Sequence, residues 1–298
     1  MNYYNEIKEE LINNEIYKKV KDYSKNKSDL NTYYNVGKLL SEAGKHYGES
    51  IIKNYSVKLC DEIGTKYNER TLRRYRQFYI LFKEEKWSTL STKLSWSHIS
   101  ELLPIENINI INYYIKISIT QNLSVRELRA RIKSQEYERL PESTKNKLIV
   151  KENTEVSDFV KNPILIKSKR NINVNKISEK ILQELILEDI PSFLKELGEG
   201  FTFIENEYKI KIGNRYNYMD LLLYNIKHRC YVVVELKITE LKKEYVGQIE
   251  VYMNYIDKNI KTIDENKTVG VIIVKKDNKF VMDYCSDPRI LSKEYILY

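Results

Sequence analysis

The sequence predicts two domains, an all-α N-terminal domain followed by an α/β domain with a mixed sheet in the order αβββαβ. Apolar residues recur at helical spacing through residues 3–137. After Gly198 the period shortens to strand-like runs, and a helical stretch precedes and another interrupts those runs. With 298 residues, 42% hydrophobic and 31% charged, and only 9 Gly and 5 Pro, the chain can bury two cores of ordinary size, which argues against extensive disorder.

In the N-terminal domain, taken as residues 1–140, "YYNVGKLLSEAGKHYG", "SIIKNYSVKLCDEIG" and "INYYIKISIT" are amphipathic or buried helices. Gly64 ends one helix and Asn68 caps the next. Ser124 and Glu127 in "SVRELRARIKSQEYERL" have capping-box spacing. Trp96 and His98 in "LSWSHISELL" read as packing and capping residues, because no nucleophile or metal cluster neighbours them. Residues 141–175 are polar with few apolar anchors and read as a linker with a short ordered segment.

The second domain is taken as residues 176–298. Ile177, Ile181, Leu182, Leu185 and Ile186 line one face of its first helix. Pro191 kinks that helix or opens another, and Gly198 closes the segment. Strands are expected at Phe201–Ile204, Tyr208–Ile212, Tyr218–Tyr224 and Cys230–Ile238, a helix near residues 240–256, then strands at Val269–Lys275 and Phe280–Tyr284.

Charge is uneven. Residues 1–150 hold 26 Lys+Arg against 19 Asp+Glu, whereas residues 151–298 hold 24 against 23, so most of the net +8 lies in the first half. A polyanionic partner fits that half, although abundant Lys, Asn, Ile and Tyr together also match A/T-rich codons. Cys60, Cys230 and Cys285 lie far apart with no CxxC pair and only three His accompany them, which argues against a zinc site or a disulfide framework. "MNYYNEIKEE" lacks the features of a signal peptide, and no apolar run reaches the roughly 18 residues that span a membrane. A cytoplasmic protein with no membrane partner is expected.

The candidate chemistry lies in "MDLLLYNIKHRCYVVVELKI". If its two apolar runs form a hairpin turning near Lys227 and His228, Asp220 falls opposite Glu235, at a Cβ separation of roughly 4.5–5.5 Å. Carboxylates that close repel unless a proton or cation intervenes, and Mg²⁺ bound by one or two carboxylates and several waters resolves the repulsion. Lys237 shares the strand face of Glu235 and projects beside that site, where it could orient or help deprotonate a water attacking phosphate. The alternative is a surface salt bridge where the strands emerge into solvent. In "GQIEVYMNY", Gln248 and Tyr252 share a helix face and could touch a phosphate or water; a Tyr252 packed in the core is the competing reading.

"GTKYNERTLRRYRQFYILF" places Lys66, Arg70, Arg73, Arg74 and Arg76 within one short stretch. Arg70, Arg73 and Arg74 form one side, and Leu72, Tyr75, Phe78 and Tyr79 the other. A turn before a basic amphipathic helix matches a helix-turn-helix element whose arginines meet DNA phosphates. A solvated face pairing with Glu69 or Glu62 is the alternative.

These residues resemble the YhcG-type family, proteins with an N-terminal helical domain and a C-terminal nuclease domain of the PD-(D/E)xK superfamily. The resemblance runs through "YNVGKLL", "HYGESIIKNYS", "ERTLRRYRQFY", "LSWSHISELL", "FLKELGEGFTFI", "YMDLLLYN", "YVVVELKI", "GQIEVYMNYID" and "VGVIIV". It implies a restriction-endonuclease-like core and Mg²⁺-dependent hydrolysis of DNA phosphodiesters, with Mn²⁺ able to substitute. Asp220, Glu235 and the backbone carbonyl of Leu236 would be the metal ligands and Lys237 would activate water. Gln248 and Tyr252 match the superfamily's QxxxY helix motif. The chain departs from the family where an acidic residue of the first core helix often assists the metal. The usual Leu-Glu reads Leu182-Gln183 here, leaving Glu184 one step later as the acidic candidate. The segment "KNPILIKSKR" and the ending "EYILY" also differ from the family's usual pattern. Double-strand cutting would call for a homodimer. A DNA-binding or partner-docking module that barely cuts is the second reading, favoured by the missing acid at 183.

Overall fold

The computed structural model describes residues 3–19, 25–83, 94–150, 152, 155–168 and 177–298. These divide into two compact units, residues 1–135 and 136–298.

The first unit is helical: α1 (Tyr3–Lys19), α2 (Lys25–Tyr47), α3 (Ser50–Glu62), α4 (Glu69–Phe82), α5 (Trp96–Leu102), α6 (Ile108–Thr120) and α7 (Val125–Lys133). Gly64, at φ 150°, follows α3, and the Asn68 side chain accepts from Thr71 N–H to start α4. Ser124 and Glu127 form a reciprocal capping box on α7. His98 Nδ1 lies 3.2 Å from Ser95 N–H, so this histidine caps α5. Trp96 packs edge-on against Tyr33, Tyr75 and Phe78. Both residues therefore have the packing and capping roles expected of them.

The second unit begins with α8 (Glu142–Val150), α9 (Val156–Phe159) and strand β1 (Ile164–Ile166). Residues 151, 153–154 and 169–175 of the expected linker lie outside the described residues; β1, by contrast, is an edge strand pairing in parallel with the last strand of the chain. Then come α10 (Glu179–Glu188), α11 (Ile190–Leu197), β2 (Phe201–Ile212), β3 (Arg215–Asn225), β4 (Cys230–Glu240), α12 (Lys243–Asn259), β5 (Val269–Lys276), α13 (Lys279–Asp283) and β6 (Ile290–Leu297). Pro191 opens α11 rather than kinking α10.

The six strands run in the order β1-β6-β5-β4-β3-β2, antiparallel from β4 through β2 and parallel from β4 to β1. The mixed sheet and the αβββαβ order are as expected, and three local expectations need correction. Phe201–Ile204 and Tyr208–Ile212 are one strand with an irregularity after Phe203, because β3 pairs with both halves. Phe280–Tyr284 is not a strand: the Asn278 side chain accepts from Val281 N–H and starts α13 there. The closing strand is β6 instead, whose mixed burial gave no clean alternation to read.

The two sheet faces build separate cores. Leu221, Leu223, Val232, Val234 and Leu236 pack against Leu182, Leu185 and Ile186 of α10 and Phe193 and Leu197 of α11. Leu222, Val233 and Ile272 pack against Ile249, Met253 and Ile256 of α12. Gly270 lets α12 approach, since a Cβ there would lie 2.6 Å from Met253 Sδ. Burial on both faces explains why β4 and β5 read as continuous apolar runs.

Candidate active site

The β3–β4 hairpin has the register its sequence predicts: Leu221↔Val234, Leu222↔Val233, Leu223↔Val232, Tyr224↔Tyr231 and Asn225↔Cys230. The ladder stops at Leu221↔Val234, one pair short of Asp220 and Glu235. Asp220 Oδ2 instead accepts from Leu236 N–H at 2.7 Å, so a side-chain carboxylate replaces the next ladder carbonyl. The two acids are therefore close neighbours without being a directly opposed ladder pair. Asp220 is further fixed through its backbone, whose carbonyl accepts from Gln183 Nε2 of α10 at 2.9 Å.

Glu235 and Lys237 are 2% and 8% exposed although both are charged. Strand alternation puts them on the α12 face with Val233. Lys237 Nζ lies 3.2 Å from Glu235 Oε2, 3.7 Å from a carboxylate oxygen of Glu179, and 5.4 Å above the Tyr245 ring. Glu235 Oε1 is buried with no hydrogen-bond partner. A buried carboxylate oxygen left unmatched costs about 1–3 kcal/mol or more, so this cluster is not a salt bridge at the water boundary.

Electrostatics agree with the geometry. Burial first, then the Asp220 charge, pushes the Glu235 carboxyl up to about 7 against the lowering pull of Lys237. Burial raises Asp220 too, with Glu179 and Glu207 adding to it, while the Leu236 N–H and Lys237 oppose the shift. Burial works to lower Lys237, but Glu235, Asp220 and Glu179 outweigh it and hold the ammonium protonated. Two acids that resist ionising together are the environment in which a bound cation replaces a proton.

Two family descriptions match this chain: the YhcG PDDEXK nuclease domain over residues 158–295 and the DUF1016 N-terminal domain over residues 8–139. The chain belongs to the YhcG-type family of PD-(D/E)xK nuclease-domain proteins. YhcG of Escherichia coli (strain K12), provisionally named a nuclease, is 24% identical over 282 residues, covering 81% of this chain and 75% of its own. Among solved structures, a repair endonuclease from Pyrococcus abyssi is similar at 18% identity over 40% of this chain and 47% of its own, with a TM-score of 0.30. An EndoMS–dsDNA2 complex is similar at 18% identity over 43% of this chain and 46% of its own, with a TM-score of 0.32. The chain spans less than half the length of either of these two structures.

This YhcG-type chain adds to the expectations at one position and departs from them at another. Glu179 and Glu207 are acids that raise Asp220, and Glu179 shares α10 with Glu184, the acidic candidate there. One residue along a helix is a turn of about 100°, so Glu184 leaves the face from which Gln183 reaches Asp220. Glu179 was missed. Its signal was available, since Glu179 and Gln183 stand four apart and share a helix face. Tyr252, expected to touch DNA, is 4% exposed and packs in the α12 core. Its phenol accepts from Gln248 Nε2 at 3.0 Å, and the charges of Glu235, Lys237 and Asp220 reach it.

The basic stretch of the helical unit lies on α4 and the turn before it. Lys66 pairs with Glu15, Arg73 with Glu69 and Arg76 with Glu49, while Arg74 donates to the Ser100 carbonyl at 3.0 Å. The apolar side is buried as expected at Leu72, Tyr75 and Phe78. Arg70 and Arg73 are the exposed arginines of this helix. Among the described residues no helix is long and apolar enough to cross a membrane.

Proposed function

We propose that this YhcG-type protein hydrolyses DNA phosphodiester bonds at the Asp220–Glu235–Lys237 cluster with a divalent cation, Mg²⁺ or Mn²⁺. The observation that carries the reading is the unmatched, buried Glu235 Oε1 beside a second carboxylate. Asp220, Glu235 and the Leu236 carbonyl are the residues that would hold the cation. Their all-oxygen donor set suits a hard metal and leaves positions for water. When bound, the cation supplies positive charge that polarises a water and the scissile phosphate.

The protein's own groups do the rest. Lys237, held protonated, donates to the attacking water or to a phosphate oxygen and stabilises the charge that builds there. Gln183 and the Leu236 N–H fix Asp220 from opposite ends, which keeps its free oxygen aimed into the site. Gln248 donates to the buried Tyr252 phenol on α12, which lies within electrostatic reach of Glu235.

The test is incubation of the full chain with linear, nicked, branched and single-stranded DNA, with Mg²⁺, with Mn²⁺ and with a chelator. Cleavage that requires a divalent cation supports the proposal, and cleavage undiminished by the chelator refutes it. Gln183 in place of an acid favours a second reading, a DNA-binding module that does not cut. Binding without cleavage on every substrate would establish that one.

The helical unit is proposed to add affinity through Arg70 and Arg73. Exposed ion pairs such as Arg73–Glu69 contribute at most about 1 kcal/mol and exchange readily for phosphate. Arg70→Ala with Arg73→Ala should weaken duplex binding and lower the slope of log K against log salt by about two. An unchanged slope in a salt titration would remove this face from the DNA interface.

A further inference from the structure

Beyond its pairing with β4, the β2–β3 hairpin continues as a two-stranded ribbon. β4 pairs only with Leu221–Asn225 of β3, so Arg215–Met219 pair with β2 alone. A two-residue turn joins the strands, and its first residue, Gly213, takes φ 59°, as a type II′ turn requires. One ribbon face is core: Ile210 and Met219 are 2% and 0% exposed against the α12 cluster. The other face holds the pairs Lys209↔Tyr218 and Lys211↔Tyr216.

That second face is open. Tyr216 and Tyr218 are 57% and 52% exposed, and Lys209 and Lys211 are exposed beside them. Lys209 Nζ sits 4.0 Å from the centroid of the Tyr216 ring. Arg215, next to the turn, stands on the other ribbon face with Ile212 and Asn217, and the exposed acids of β2, Glu205 and Glu207, lie toward the cluster. Phenol rings alternating with cations on a free strand face match a chain of bases and phosphates.

The ribbon leads into the candidate active site. At roughly 3.4 Å per residue, Tyr218 lies about 7 Å and Tyr216 about 14 Å along the strand from Asp220. Stacked nucleotides advance by about 3.4 Å per strand, so the strip spans a few nucleotides beside the proposed cut. The junction is also shaped. Glu207 has φ 51°, and Met219 and Leu221 pack on opposite faces, so the ribbon changes face where it meets Asp220.

We infer that the Tyr216–Tyr218 face of this ribbon binds unpaired nucleotides next to the scissile bond, the tyrosines stacking on bases and Lys209 and Lys211 meeting phosphates. A fully paired duplex shows ring faces only at its ends, so two phenols projecting from one strand face match a single strand better than a groove. The inference rests on the DNA-cleaving reading above for its substrate and deepens it: the preferred DNA is one with a single-stranded segment at the duplex end.

The experiment measures anisotropy with the full chain in chelator, on a blunt duplex and on the same duplex with a 3′ or 5′ single-stranded overhang. Wild type is expected to bind the overhang form more tightly. Tyr216→Ala with Tyr218→Ala should remove that advantage, at about fivefold or more per tyrosine, and leave blunt-duplex affinity unchanged. Tyr216→Phe with Tyr218→Phe should keep it, because the rings remain. No overhang preference in wild type, or a preference that survives the alanine pair, overturns the inference. So does a preference lost only on Lys209→Ala with Lys211→Ala. Cleavage in Mg²⁺ is read in parallel. If wild type cuts nothing yet shows the tyrosine-dependent preference, the nuclease reading fails and the ribbon assignment stands. If it cuts without the preference, only the ribbon assignment fails.

Discussion

Lys237→Ala is expected to lower single-turnover DNA cleavage in Mg²⁺ by about 10²–10³-fold, the range typical for removing one preorganised donor to developing charge. The ammonium is the only cation within salt-bridge distance of Glu235 among the described residues, and it is held protonated by Glu235, Asp220 and Glu179 against the effect of burial. Its loss therefore removes charge from the reacting centre and the hydrogen bond to Glu235, while both proposed carboxylate ligands remain in the chain. In metal-free protein the same change leaves buried carboxylates unpaired, which costs about 3–5 kcal/mol. The comparison belongs in Mg²⁺, with the melting temperature as the check that the variant is folded. A variant that is folded in Mg²⁺ and cuts at the wild-type rate would remove Lys237 from the chemistry.

Metal-free wild type should lose stability as pH rises from about 4.5 to about 7. The sign follows from Glu235, whose carboxyl is raised from 4.5 to about 7 in the fold. Within that window the folded state holds a proton that the unfolded state has released, so raising pH favours unfolding. The loss integrates to about 3 kcal/mol at 1.36 kcal/mol per pK unit and is complete above the folded pKa. Asp220 is raised as well and adds in the same direction. Urea unfolding across this range, in chelator and in Mn²⁺, checks it. Chelated protein should show the decline, Mn²⁺ should flatten it by stabilising the ionised pair, and Glu235→Gln should flatten it without metal.

The hairpin was the most legible part of the molecule. Two apolar runs around a polar turn gave the register, and a one-residue slip would have moved Leu222 and Val233 from the α12 core to the α10 core. What the register could not reveal is where the ladder ends. The Asp220 carboxylate displaces a backbone carbonyl at Leu236, a local competition between side chain and main chain that alternation does not encode. The first core helix was legible as a helix, but the acid in its opening turn that lies near the cluster was not singled out. Attention to the residue following Leu182 led to Glu184, while the acid near the cluster, Glu179, sits in the opening turn.

Burial explains two other differences. The spacing of Gln248 and Tyr252 fixed a shared face but could not say whether that face was core or surface, and Tyr252 proved to be core. The basic stretch around α4 was plain as composition, yet three of its five cations pair with acids, and two of those, Glu15 of α1 and Glu49 just before α3, come from elsewhere in the chain. Pairing across helices cannot be seen along one. At the C-terminus, Val281 and Met282 tempted a strand assignment, and the cap at Asn278 decided for a helix.

The most direct test of the central claim is single-turnover cleavage of linear DNA in Mg²⁺ by Glu235→Gln beside wild type. The substitution keeps shape and removes the charge whose unmatched oxygen marks the site. Wild type should cut, and the variant should be slower by at least about 10³-fold, as expected for losing a ligand that holds the cation, while melting no lower than wild type in chelator at pH 8. A folded Glu235→Gln protein that cuts as fast as wild type would contradict the account.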